Sequence, residues 1–292
     1  MRIGVIGCGY WGKIIINNLI QLQYDDLVLC DTKEILDGLN LGRKFKKETD
    51  YRKVKCEKVF VLVPVSYHYE VCHHFLSKGT DVFCEKVLTP KTKEAKNLYE
   101  LARSNDCNLF VDWVFTFNSE VNHIKSIYEK GLLGRIKHAT MNRQNYGPLR
   151  NDVDARFDLA SHDLSILLHV FKQKVKKAEW NNYKRNPIGS QCDSTLAFLE
   201  FKDYTATINA SWEYSKKDRK CFFDFEKGFV EWDDTAKVLN IESDCDIISS
   251  ERESSSPLHK SLLGFLKNGG FDYACQEEMT IDIISSLNAE GM

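Results

Sequence analysis

The chain has 292 residues, 43% of them hydrophobic and 12% aromatic, enough apolar material to bury the cores of two ordinary domains. A formal net charge of −2 argues against a nucleic-acid or membrane-surface protein, and no apolar run approaches membrane-spanning length. The ten cysteines are scattered without a C-x-x-C pair, and residue 2 enters a strand with no charged leader or apolar h-region. Reduced thiols in a cytoplasmic protein are expected.

The first stretch carries the strongest signal. Ile3, Val5 and Ile6 form a short β-rich run that ends in Gly7-x-Gly9-x-x-Gly12, and Ile14, Ile15, Leu19 and Ile20 follow at helical spacing. A strand, a glycine turn and a helix start are the context that a dinucleotide requires. Gly7 allows the turn, Gly9 lets a pyrophosphate approach and Gly12 lets helix and strand pack. The N–H groups of the helix start, around Tyr10 and Trp11, then face the phosphates. Residues 27–30 read as a second strand closed by Asp31, where the fingerprint expects a carboxylate on the adenosine ribose. That carboxylate favours NAD, with NADP as the alternative.

A helix through Ile35, Leu36 and Leu39 and a polar, basic connection through Lys55 lead to residues 58–63. This near-continuous apolar run reads as a strand buried on both faces of a parallel sheet. Pro64 stops it. Residues 67–77 read as a helix ended by Lys78-Gly79, 81–84 as a strand running into Glu85-Lys86, and Thr89-Pro90 as the cap and first-turn proline of the next helix. With a strand at 109–111, the alternation predicts a doubly wound parallel sheet of the Rossmann type over residues 1–116.

From residue 117 the period changes. A helix through Val121, Ile124, Ile127 and Tyr128 precedes a strand over 136–145, a loop at Gly147-Pro148 and a helix over 158–171. Residues 204–213 alternate strictly, with Tyr204, Ala206, Ile208, Ala210 and Trp212 on one face and Thr205, Thr207, Asn209, Ser211 and Glu213 on the other. Strands at 193–201, 219–226, 228–233 and 237–242 complete a mainly antiparallel open sheet, covered on one side. An α+β domain over 117–292 is predicted, with a Ser-rich loop at 249–256 and a last helix through Leu258, Leu262, Leu263, Phe265 and Leu266.

Open α/β sheets bind ligands at the carboxyl ends of their strands. Three segments end there: the glycine turn, residues 63–68 with Pro64 and His68, and Cys84-Glu85-Lys86. A lysine in that position beside a nicotinamide is a usable acid/base; the alternative is an ordinary loop lysine paired with Glu85. Asp158 and His162 stand four apart on one helix, so a carboxylate can meet the imidazole and fix its tautomer. The alternative is a helix cap and a satisfied buried histidine. Cys72-His73-His74 with His68 offers no second ligand pair, and no metal is expected.

These residues resemble the Gfo/Idh/MocA family of oxidoreductases, named after glucose-fructose oxidoreductase, inositol dehydrogenase and a rhizopine-catabolism protein. The motifs that carry the resemblance are residues 5–12, 63–68, 78–86 and 131–136, followed by Asp158-x-x-x-His162-Asp163. The resemblance implies that Lys86 and His162 flank a reacting carbinol, with Asp158 supporting His162, and that hydride passes between that carbon and nicotinamide. One departure is Val87, where the family has the proline of Glu-Lys-Pro. Residues 111–115 and 146–165 look most like members that act on nucleotide-activated sugars in polysaccharide biosynthesis, which implies oxidation of a ring hydroxyl, as at C3. Tyr146 and Arg150 are then the expected substrate contacts, Arg150 because a diphosphate or uronate calls for a planar cation. A homodimer or homotetramer through the open sheet is also implied. Two other functions fit the same residues: a non-catalytic NAD(P)-binding regulator, or an NADPH-dependent keto-sugar reductase.

Overall fold

In the computed structural model, which describes residues 1–185, 191–243, 256–267 and 271–289, the first strand, β1 (Ile3–Ile6), is buried along its whole length. It is followed by α1 (Tyr10–Gln21), β2 (Leu27–Cys30), α2 (Lys33–Asp37), β3 (Lys46–Glu48), β4 (Lys58–Val61), α3 (Val65–Leu76), β5 (Asp81–Cys84), α4 (Thr92–Ser104) and β6 (Leu109–Val111). The six strands lie in the order β3-β2-β1-β4-β5-β6, all in parallel. The order reverses between β1 and β4, so the glycine turn leaves β1 at the switch point where such sheets bind ligands. β3 falls within the stretch read as a basic connection; its residues Lys46-Lys47-Glu48 are polar because it is the sheet's edge. Thr89 does not cap α4. Its hydroxyl accepts the Lys91 N–H at 2.9 Å, and the helix starts two residues later than Pro90.

The chain divides into two units, Met1–Asp112 with Leu262–Glu278 and Trp113–Ser261 with Met279–Met292. The stretch Leu262–Glu278, expected in the domain 117–292, groups with the first unit for a packing reason. Phe265 meets Phe60, Phe83 and Phe110, and Phe271 and Tyr273 meet Phe110. Each buried ring of this kind contributes roughly 1.5–3 kcal/mol. Gln276 closes the other edge of the sheet, its amide accepting from Val111 N at 2.9 Å and donating to Val111 O at 3.0 Å.

The second unit holds α5 (Ser119–Glu129), β7 (Ile136–Tyr146), α6 (Ser161–Phe171), β8 (Lys177–Tyr183), β9 (Ser194–Glu200), β10 (Thr205–Ser211), β11 (Glu213–Phe225), β12 (Gly228–Asp233) and β13 (Val238–Ser243). Its seven strands run β13-β12-β11-β7-β10-β9-β8. The pairings are antiparallel apart from β7 with β10, which is parallel. Tyr204, Ala206, Ile208, Ala210 and Trp212 are buried, as the alternation requires, while the opposite face leaves Leu196 and Phe198 exposed. Ser211, read as facing outward, is buried, its hydroxyl 2.8 Å from that of Ser194.

The two C-terminal helices are α7 (Pro257–Leu266) and α8 (Tyr273–Leu287). The sequence predicts α7 as the last helix, and α8 follows it. The Ser-rich loop lies, up to residue 255, outside the described residues.

His169 on α6 gives the second unit a pH dependence. Burial, with Lys125 and Lys172 nearby, lowers its pKa to about 4. Its Nε2 lies 2.9 Å from Asn122 Oδ1, an oxygen free to accept because the Asn122 amide donates to Thr116 O and Asn118 O. Above about pH 6.5 the ring is neutral folded or unfolded. As the pH falls from there towards 4, the unfolded chain takes up a proton that the folded chain refuses. Stability then drops by on the order of 3 kcal/mol. Urea unfolding of wild type and His169→Gln across that window checks this: the variant is expected to lose less stability, and an equal loss contradicts it.

Candidate active site

The glycine turn has one open position and two closed ones. A Cβ on Gly12 would lie 2.1 Å from the Gly7 carbonyl oxygen, and one on Gly7, whose φ is +96°, would lie 2.6 Å from the Leu62 backbone. At Gly9 a Cβ would meet nothing within 4 Å. The turn is therefore packed against the sheet at both ends and open in the middle, the shape that a pyrophosphate over the start of α1 requires. Tyr10 is 84% exposed and Trp11 half-buried beside it. Asp31 ties β2 to this turn. One carboxylate oxygen accepts the Cys8 N–H at 2.6 Å and the other the Thr32 N–H at 2.7 Å, and each keeps a second lone pair for a ribose hydroxyl. The residues present fit NAD.

Gly9→Ala separates cofactor from fold. Stability should stay within about 0.5 kcal/mol of wild type, because the new methyl touches no protein atom. NADH affinity should fall by roughly tenfold or more, because the methyl occupies the phosphate's approach. Thermal unfolding and NADH fluorescence titration read the two effects. Unchanged affinity would remove the turn from the cofactor site.

Lys86 and Glu85 follow β5 and are both half-buried. The Lys86–Val87 peptide is cis, and Val87 is buried. His68, expected at the cofactor, is 1% exposed, with Nδ1 2.9 Å from Val87 O and Nε2 2.8 Å from Val63 O. A ring with both nitrogens against backbone carbonyls offers neither to a ligand. It links the loop after β4 to the residue after Lys86. Pro64 is the N-cap of α3 and is exposed.

The second unit contains a cavity of about 210 Å³ whose lining includes Phe115, Arg143, Asp158, His162, Trp212 and Arg219. His162 enters it from the first turn of α6. The helix expected over 158–171 opens with a π turn, Arg156–Ala160, a wide turn of the kind frequent at functional sites. The Phe115 ring meets the His162 ring edge-on at 5.1 Å, with the Arg143 guanidinium 4.6 Å from its centre. Asp158 holds cations and donors from distant parts of the chain. Arg150 Nη1 donates to Oδ1 at 3.2 Å and Trp212 Nε1 donates to Oδ2 at 3.1 Å.

The two expected substrate contacts are placed differently. Arg150 is bonded to Asp158 and, through Nε and Nη2, to Asp152 at 3.0 and 2.9 Å. Tyr146 is 73% exposed at the end of β7. Neither is among the residues that line the cavity. Sequence reasoning missed Phe115, Arg143, Trp212 and Arg219. Arg219 stands at the start of the strand read over 219–226, next to charged residues 216–218 and 220, with no signal that it lines a cavity.

Residues 1–113 match the family model described as an oxidoreductase family with an NAD-binding Rossmann fold, and residues 121–231 match the GFO/IDH/MocA C-terminal domain. The chain belongs to the GFO/IDH/MocA family. Its curated relatives include the myo-inositol 2-dehydrogenase of Thermotoga maritima, 23% identical over 220 residues, 69% of this chain and 65% of that protein. Matches to four uncharacterized oxidoreductases span only 22% to 41% of their lengths. Among solved structures, the WlbA dehydrogenase of Bordetella pertussis, in complex with NADH and UDP-GlcNAcA, superimposes with a TM-score of 0.83 at 17% identity, covering 98% of this chain and 95% of that one. The UDP-N-acetylglucosamine 3-dehydrogenase GnnA of Acidithiobacillus ferrooxidans gives 0.83 at 16% identity, over 98% and 95%. At such identities the likeness establishes a shared fold and nothing finer. The first unit is the family's NAD-binding Rossmann domain.

Among the described residues no three of His, Cys, Asp and Glu are grouped to hold a metal ion, and no helix is long and apolar enough to cross a membrane.

Proposed function

We propose that this chain is an NAD-dependent dehydrogenase that oxidises a ring hydroxyl of a sugar carried on a nucleotide. The observation that carries the reading is the polar cavity of the second unit, where His162 stands among Asp158 and two arginines in a chain whose first unit binds NAD. The hydride acceptor is supplied by bound NAD. The chain's own part is to bind the sugar, orient its carbinol and remove the hydroxyl proton. His162 and Lys86 are the acid/base groups, the imidazole presented by α6 and the amine by the segment after β5. Asp158, held by Arg150 and Trp212, sets a carboxylate into the lining of the cavity that His162 also lines. The Glu-Lys-Val sequence retains the amine, and His68 steadies the backbone just past it.

The test is NADH formation from NAD+ with UDP-N-acetylglucosamine, UDP-glucuronate, myo-inositol and D-glucose. A nucleotide sugar is expected to support turnover of roughly 1–10³ s⁻¹, with the free polyol and free sugar far slower. NAD binding without NADH from any of the four would point instead to a regulator.

A further inference from the structure

Arg143 on β7 and Arg219 on β11 are direct cross-strand partners in an antiparallel ladder, so their side chains leave the same face, and both line the cavity. Like charges placed opposite one another on neighbouring strands repel. Only one of the two has a carboxylate of its own. Asp163 accepts from Nε and Nη2 of Arg143 at 2.9 and 2.8 Å. Among the described residues Arg219 makes no ion pair; its Nη2 donates to Asn145 Oδ1 at 3.4 Å, and its Nε is buried without a partner. The other nearby carboxylates already hold donors: Asp158 those of Arg150 and Trp212, and Asp234 the Lys237 ammonium at 2.6 Å. Burial, and then Arg143 beside it, lowers the Arg219 pKa from its usual value, as expected of a guanidinium short of a counter-ion. Folds tolerate such a local conflict where function uses it.

We propose that Arg219 holds an oxyanion of the substrate and that the sugar itself carries that charge, as the carboxylate of a sugar acid or the phosphate of a sugar phosphate. The planar guanidinium is suited to either group. The cavity, at about 210 Å³, is below the roughly 300–1,000 Å³ of sites that enclose drug-sized ligands, so the charge lies on a group no larger than a single sugar ring. The proposal rests on the reading of this cavity as the sugar site and is independent of turnover.

Calorimetric titration of the NADH-saturated protein with D-glucose, D-glucuronate and D-glucose 6-phosphate tests it. Wild type is expected to bind one of the two anionic sugars at least tenfold more tightly than glucose, and which one it prefers identifies the oxyanion. Arg219→Gln should bring that sugar to the level of glucose while glucose itself changes less than twofold; Arg219→Lys, which keeps the charge and loses the fork, should retain part of the preference. Equal binding of all three by wild type, or a preference intact in Arg219→Gln, overturns the assignment. Should Arg219→Gln fail to fold, Arg219→Lys decides, and a full preference there overturns it. If none of the three binds, the assignment of the charge to the sugar itself is overturned, while the nucleotide-sugar reading is judged by NADH formation; if glucose binds without any anion preference, Arg219 alone is reassigned.

Discussion

Lys86→Ala and His162→Ala are each expected to lower turnover by roughly 10²–10⁴-fold, the range associated with loss of a positioned acid/base group, while NAD+ affinity should stay within a few-fold of wild type. The separation follows from the architecture. The glycine turn and Asp31 that fit the cofactor belong to β1, α1 and β2, whereas Lys86 follows β5 and His162 opens α6. Neither substitution disturbs the packing of Gly7 or Gly12. Steady-state kinetics with the best nucleotide sugar, together with NADH titration, reads both quantities. Full turnover in either variant removes that residue from the proton-transfer role. A parallel loss of NAD+ affinity would make it a cofactor contact.

Asp163→Ala destabilises the protein by about 3–5 kcal/mol, because it leaves a buried guanidinium uncompensated. The Arg143 and Asp163 side chains are 3% and 0% exposed. Burial pushes the Asp163 carboxyl up, and Arg143 opposes that; arginine stays charged, so the carboxylate is its counter-ion. The pair pins β7 to α6 at the residue after His162, and Phe115 lies against both Arg143 and His162. Replacing both partners, Arg143→Met with Asp163→Leu, should recover much of the loss, since an apolar pair of similar volume leaves no charge buried alone. Urea unfolding of the two single variants and the double variant measures this. A double variant as unstable as the sum of its parts would mean that the pair contributes no coupling.

The nucleotide half was legible because its signals are local. A strand buried on both faces is a short apolar run, as at 58–63, and the glycine turn states its conformational demands within six residues. β3 escaped because an edge strand needs no apolar face, and β8 because only part of Lys177–Tyr183 turns inward. Cavity residues were legible only where one helix carries them, as with Asp158 and His162. The partners that position Asp158 lie 8 and 54 residues away, and periodicity holds no trace of such pairings. Arg150 is expected to meet substrate because a diphosphate or uronate calls for a planar cation; its bonds to Asp152 and Asp158 join residues of one loop and the helix start, and no sequence period signals them. Arg219 opens the strand read over 219–226, but the register shift between Glu213 and Asp218, which precedes it on β11, is not readable from composition, and so neither is the neighbour it faces across the sheet.

In the proposed reaction a hydride passes from a sugar carbon to NAD+. The most direct measurement uses the nucleotide sugar that supports NADH formation, deuterated at the carbinol carbon, with mass spectrometry of the NADH produced. One deuterium on the nicotinamide for each turnover is the expected result. NADH that carries no label, or NAD+ bound and never reduced with any of the sugars, would contradict it.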